Sequence, residues 1–184
     1  MIVGSRILLR PIQDTDWPII EEWGRSREAL WGSFQRYQLD HVPVLRQAYQ
    51  QGGLLGRESG ILLIEPLADQ QVVGFVRYTL ISFPDSDMPY PEIGFGLPTA
   101  SARGKGYAKE AVKLLVDYLF SGYPTERIAA FTDVENSPAQ RVLEGSGFQR
   151  EGVLSRAMFR DGLWRDIAIY GILRREWTPV NVAA

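Results

Sequence analysis

The 184-residue chain has no cysteine and a single histidine, His41. The first absence excludes disulfides, thiolate metal ligands and any cysteine-bound covalent intermediate, and the second excludes a multi-histidine metal site. Catalysis would therefore fall to carboxylates, hydroxyls, backbone amides or a borrowed cofactor. Lysine is scarce as well: Lys105, Lys109 and Lys113 are the whole complement, four positions apart. No apolar run approaches the roughly 18 residues of a membrane span, and MIVGSRILLR lacks the apolar core of a leader, so a cytoplasmic protein with no membrane partner is expected. A net charge of -2 gives no broad basic face, so nucleic acid is not an expected partner.

The chain has an ordinary globular composition, with 45% apolar and 23% charged residues. Its length suits one domain, expected over residues 1–177, with a disordered tail over 178–184. Ile7–Pro11 reads as a strand, followed by a helix entered through Asp14–Pro18 and running to about Gly24. Ala29–Tyr37 is aromatic-rich without a clean period, and a second helix is expected from about Pro43 to Gly52-Gly53. Gly60–Pro66 and Val72–Ser82 read as an antiparallel hairpin. An acidic, proline-rich loop then leads to a short strand, Glu92–Leu97, whose glycines suggest a bulge or a close approach.

From Gly106 to Phe120, Ala108, Ala111, Val112, Leu115 and Leu119 recur at helical spacing, which predicts one buried stripe. Arg127–Val134 reads as a strand and Ser137–Glu144 as a short helix closed by Gly145 and Gly147. Phe148–Phe159 and Leu163–Leu173 flank Asp161-Gly162, a strong hairpin signal. Two β-α-β passages in the second half predict an α/β class with a mixed sheet and helices on both faces.

The stretch SARGKGYAKEAV places glycines and a helix start directly after a strand. Such a turn lets backbone N–H groups approach an anion with the helix dipole behind them, although a plain glycine loop accounts for it equally well. Neither the dinucleotide fingerprint nor the P-loop spacing is met.

Arg103-x-x-Gly106-x-Ala108 resembles the acetyl-CoA motif of the Gcn5-related N-acetyltransferases (GNAT), in a strand-loop-helix setting. The block Asn136-Ser137-Pro138-Ala139 with Gly147-Phe148 is similar to the family's later N-x-x-[AS]…G-F helix. EIGFGL, EGVL and DIAIYGILRREW are most similar to the ribosomal-protein N-terminal acetyltransferase branch (RimJ/RimL-like), and together these blocks cover most of residues 5–177. The segment between Leu97 and Arg103 is a residue longer than the commonest pattern.

The resemblance implies a GNAT-like fold, a mostly antiparallel sheet with two splayed neighbouring strands, and acetyl-CoA as cofactor. It implies that Phe95, Gly96 and Leu97 offer backbone groups to the pantetheine arm, with Gly94 and Gly96 leaving room for it. Backbone N–H groups of Arg103, Gly104, Lys105, Gly106, Tyr107 and Ala108 would hold the pyrophosphate. Asn136 would reach the pantetheine amide, cap the following helix, or both; Arg141 would approach the phosphates or face solvent.

For the base the expectation is Glu92, at the strand entry beside the thioester. The usual tyrosine, seven residues after the asparagine, is Leu143 here, and the serine three residues after it is Ala139. Ser137 and Tyr170 remain as hydroxyl candidates for the acid, and a thiolate leaving into water needs none. Candidate acceptor walls are Trp31, Phe34, Tyr37, Tyr90, Phe159 and Trp164, with Asp85, Asp87 and Glu92 as attraction for a cation. His41 reads as a surface or cap residue. The implied activity is direct N-acetylation of a primary amine, by default a protein N-terminal α-amine. The other readings are a small-molecule amine as acceptor, or a non-catalytic acyl-CoA-binding module. Either a monomer or a homodimer is compatible.

Overall fold

In the computed structural model, residues 1–26, 41–84 and 86–179 are described. The order is β1 (Ile2–Val3), β2 (Ile7–Arg10), α1 (Trp17–Arg25), α2 (His41–Gly52), β3 (Ser59–Pro66), β4 (Gly74–Ile81), β5 (Tyr90–Gly96), α3 (Tyr107–Gly122), β6 (Arg127–Asp133), α4 (Ser137–Gly145), β7 (Gln149–Arg160) and β8 (Leu163–Leu173). The short β1, paired with β2, has no counterpart in the sequence reading. Two residues are too few for a periodicity to register. The expected irregular stretch 29–37 lies outside the described residues.

The strands form one eight-stranded sheet in the order β1-β2-β3-β4-β5-β6-β8-β7. β5 and β6 are parallel; the other neighbours are antiparallel. The mixed α/β sheet matches the expectation, but the second β-α-β passage does not produce a parallel pair. The chain leaves β6 through α4 into β7, and β8 then inserts between them, antiparallel to both. Asp161 and Gly162, with φ of 51° and 76°, make the tight turn that returns the chain.

Alternating residues send side chains to opposite faces of a strand, and β3 uses both. Leu62 and Ile64 join one core with Val76, Tyr78, Ile93 and the buried side of α3, while Leu63 packs with Trp17, Ile20 and Trp23 of α1 on the other face. All five expected stripe residues of α3 are buried, and Leu114, Val116 and Phe120 widen the stripe. Such a helix is anchored well beyond its own propensity, since each fully buried large apolar side chain contributes about 1.5–3 kcal/mol.

One face of the sheet therefore carries α3 with α4, and the other carries α1 with α2. Among the described residues no helix is long and apolar enough to cross a membrane.

Candidate active site

The parallel pairing of β5 with β6 lasts for two register positions, Glu92 with Ala129 and Ile93 with Ala130. Beyond Ile93 the strands diverge, although β5 stays paired with β4 as far as Gly96 and β6 with β8 as far as Asp133. Each strand is thus held from its outer side while its inner edge is left open. A cleft of about 440 Å³ fills the gap, lined by Glu92, Gly94, Phe95, Phe131, Thr132 and Asn136 among others.

Glu92 is buried on the cleft wall, 8% exposed. Arg77 on β4 reaches it with a forked pair of bonds, Nη1 to Oε2 at 2.9 Å and Nη2 to Oε1 at 3.3 Å. Burial pushes the Glu92 carboxyl above the ordinary carboxylate range, and Arg77 pulls it only part of the way back.

The glycines of β5 also have a reason within the protein itself. Gly94 stands directly opposite Arg77 and Gly96 opposite Phe75. A Cβ on Gly94 would meet Arg77 Nε at 2.7 Å, and one on Gly96 would meet the Phe75 ring at 2.9 Å. The space is taken by these two neighbouring side chains, which lie on the cleft wall themselves.

After β5 the chain winds through a 3-10 turn, Ala100–Ala102, into the glycine loop. Arg103 turns back, its Nε donating to the Leu97 carbonyl at 2.9 Å, so the side chain pins the loop to the end of β5 and uses the Leu97 oxygen. Gly104 and Gly106 have φ of 76° and 81°, the left-handed region that a side chain disfavours. Gly106 is the N-cap of α3, and no side chain caps that end. The first-turn N–H groups of a 16-residue helix therefore lack a side-chain acceptor.

Lys105 precedes the helix, so the three lysines do not form one helical stripe. Lys109 reaches the last residue of α4 instead, where a Cβ on Gly145 would stand 3.3 Å from its Nζ, and its charge complements the carbonyl end of that helix.

Asn136 caps α4, its Oδ1 accepting from the Ala139 N–H at 3.2 Å. The carboxamide nitrogen is left as a donor on the cleft wall. Ser137 is an exposed first residue of α4, and Arg141 is exposed on the same helix. Leu143, at the position of the usual tyrosine, is a cleft residue. Tyr170 is fully buried, and its hydroxyl donates to Glu144 Oε1 at 2.9 Å. Burial first, and that carboxylate second, raise its pKa.

Phe159 and Trp164 form an exposed edge-to-face pair at the β7–β8 end, 5.5 Å apart, and are not among the cleft residues. Tyr90 is half-buried under the Arg127 guanidinium at 5.0 Å. Trp31, Phe34, Tyr37 and Asp85 lie outside the described residues. Asp87 is exposed. His41, expected at a surface or a cap, begins α2 and lines the cleft, because α2 packs over the end of the sheet that carries Phe75 and Arg77.

Several cleft residues went unread in the sequence. Arg77 carried a signal: it interrupts the apolar strand VVGFVRYTLIS. Asp133, 2% exposed, ends β6, and its Oδ2 accepts from Arg160 Nη1 at 2.7 Å. This buried pair ties the β7–β8 end to the mouth of the cleft. An acid closing an apolar strand is an ordinary sight in a sequence, and nothing local pointed to its partner.

Two diverging strands followed in the chain by a glycine loop and a helix start without a side-chain cap present backbone donors of the kind that an elongated ligand with an anionic end requires. The profile of the acetyltransferase (GNAT) domain family matches residues 6–149, and the chain belongs to that family. It is 34% identical over 107 residues to the uncharacterized N-acetyltransferase p20 of Bacillus licheniformis, a match spanning 58% of each chain, so it covers less than two thirds of that relative. It is 31% identical over 145 residues to the putative ribosomal N-acetyltransferase YdaF of Bacillus subtilis, covering 79% of this chain and 73% of the relative. The fold is shared with the spermidine N-acetyltransferase of Vibrio cholerae solved with CoA and spermine, at a TM-score of 0.74 and 21% identity over 94% of this chain and 98% of that one.

Proposed function

We propose that the protein is an acetyl-CoA-dependent N-acetyltransferase that moves acetyl directly to a primary amine, with a protein N-terminal α-amine as acceptor. The observation that carries this reading is the opening of β5 from β6 beyond Ile93, one residue past Glu92, on the way to an α3 terminus without a side-chain cap. Open backbone edges at Phe95 and Gly96 suit the amides of a pantetheine arm, and the carboxamide nitrogen of Asn136 is a further donor for them. N–H groups from Gly104 to Ala108 suit a pyrophosphate, because left-handed glycines keep the turn tight and the helix dipole favours negative charge there, whereas the Arg103 N–H already donates to the Ala100 carbonyl at 3.1 Å. Arg141 is a further candidate contact for phosphate.

Acetyl-CoA, when bound, supplies an acetyl group already activated as a thioester. The task left to the chain is to make the amine neutral and to receive its proton as the C–N bond forms and the C–S bond breaks. Glu92 is the proposed proton acceptor, directly or through one water. A carboxylate raised by burial is better matched to that task than a solvated one. Tyr170 and Ser137 are weaker candidates for the acid, the first already donating to Glu144 and the second exposed on α4. We therefore propose that the thiolate leaves into water.

A single amine suits the cleft better than a polycation. Among the described residues lining it, both carboxylates are already paired, Glu92 with Arg77 and Asp133 with Arg160. A polyamine would have to displace an arginine. The name of YdaF adds support for a protein acceptor. We propose that the chain acts in the cytoplasm, as a monomer or homodimer.

The test is thiol release from acetyl-CoA by the purified protein with N-terminal peptides, spermidine and a panel of small amines, with the products weighed by mass spectrometry. Peptides acetylated at the α-amine are expected. Turnover on spermidine alone would overturn the acceptor assignment, and tight CoA binding with no thiol release would favour a binding module.

A further inference from the structure

Arg6 lies in the turn between β1 and β2, about a hundred residues from the glycine loop in sequence, yet it is built into that loop. Its Nη1 donates to the Lys105 carbonyl at 2.8 Å, and its Nη2 reaches the Gly106 carbonyl at 3.5 Å. Its Nε donates to Glu110 Oε2 at 3.0 Å, and the guanidinium stands over the Tyr107 ring at 5.9 Å. The other Glu110 oxygen accepts from the Arg6 N–H at 2.9 Å and the Ser5 hydroxyl at 3.0 Å.

Two consequences follow from elementary geometry and charge. In a trans peptide the C=O of one residue and the N–H of the next point in opposite directions. Arg6 draws the Lys105 carbonyl toward the β1–β2 turn, so the N–H of Gly106 is turned away from it, while the Gly106 carbonyl also accepts the first intrahelical bond of α3 from the Glu110 N–H at 3.1 Å. The second consequence concerns Glu110, in the first turn of α3. Burial raises its pKa, but hydrogen bonds from Arg6 and Ser5 outweigh this and hold the group below the usual carboxylate range. An ionised carboxylate one turn from a phosphate site repels phosphate unless a nearby cation offsets its charge, and Arg6, paired with Glu110 Oε2 at 3.0 Å, is that cation.

We infer that Arg6 is a positioning residue for the phosphate-binding loop, orienting the Lys105–Gly106 peptide and neutralising Glu110, so that it governs affinity for the phosphate end of the cofactor and not for the pantetheine end. This rests on the cofactor reading proposed above. Half the Arg6 side chain is exposed, so its contribution to folding is modest.

The experiment is calorimetric titration with CoA and NMR titration with pantetheine, which has the arm but no pyrophosphate. The proteins are the unsubstituted protein, Arg6→Met, Arg6→Lys and the double variant Arg6→Met/Glu110→Gln, each checked for folding by its melting temperature. Arg6→Met is expected to weaken CoA by about tenfold, the scale of one lost charge-assisted hydrogen bond, and to leave pantetheine unchanged. Arg6→Lys, which keeps the charge without the fork, should lose less. The double variant should recover the part of the loss that comes from the bare carboxylate.

Unchanged CoA affinity in Arg6→Met, or equal losses for CoA and pantetheine in both single variants, would overturn the inference. Failure of the unsubstituted protein to bind CoA would overturn the cofactor reading and this inference with it. The two failures are told apart by whether the unsubstituted protein binds CoA.

Discussion

Arg77 and Glu92 face one another diagonally across β4 and β5, Nη1 to Oε2 at 2.9 Å, with Gly94 opposite Arg77 leaving the guanidinium its place. The carboxylate proposed to take the proton is thus held by a side chain of the neighbouring strand. Its two influences oppose each other, burial disfavouring the charge and Arg77 favouring it.

Glu92→Gln is expected to lower kcat by about 100-fold or more while CoA still binds, the usual scale for losing a general base. In the parent enzyme the active form is the ionised one, so the rate should fall as pH drops through a value above the ordinary carboxylate range. Arg77→Met removes the influence that lowers this value, so the acidic limb should move to higher pH. A pH-rate profile measures both; a limb that moves down, or not at all, would contradict the role of Arg77.

Gly106→Val places a β-branched residue at a φ of 81° with its Cβ 3.0 Å from Arg6. The backbone strain is of the order of 1–3 kcal/mol, and Arg6 must shift as well. We expect CoA binding to be lost in calorimetry from a protein that still melts cooperatively. Retained binding would remove the loop from the cofactor site.

Tyr170→Phe deletes a hydroxyl that donates to Glu144. If the thiolate leaves into water, kcat should stay within about threefold, less than 1 kcal/mol in the barrier. A loss of about 100-fold, with the basic limb of the pH profile altered, would instead make Tyr170 the acid.

Arg160→Met leaves Asp133 as a buried charge without its guanidinium, which costs about 3–5 kcal/mol in comparable cases. Urea denaturation should show that loss, and Arg160→Met/Asp133→Asn should recover most of it. Equal instability of the single and double variants would indicate that packing, not the stranded charge, sets the cost.

The elements legible in the sequence are those whose signals are local. The α3 stripe repeats within one turn, Asp161-Gly162 needs only two left-handed residues, and Asn136 caps the helix that begins beside it. The glycine turn before α3 was legible for the same reason, since strand, glycines and helix start follow one another in the chain, whereas Glu92 was singled out as a candidate only through the family resemblance. The insertion of β8 between β6 and β7 was not, because strand order is decided by which faces pack together and not by any one strand.

The sequence by itself determined the helices, most of the strands, the candidate phosphate loop and the exclusion of cysteine chemistry, since each depends on side chains within a few positions or on composition. Only the tertiary structure decided the charge pairs: Arg77 with Glu92, 15 residues apart, Arg160 with Asp133, 27 apart, and Arg6 with Glu110, 104 apart. A guanidinium carries no mark of its partner. Register and burial choose that partner, and with it the proton affinity of Glu92 and the anchoring of the Lys105 carbonyl by Arg6.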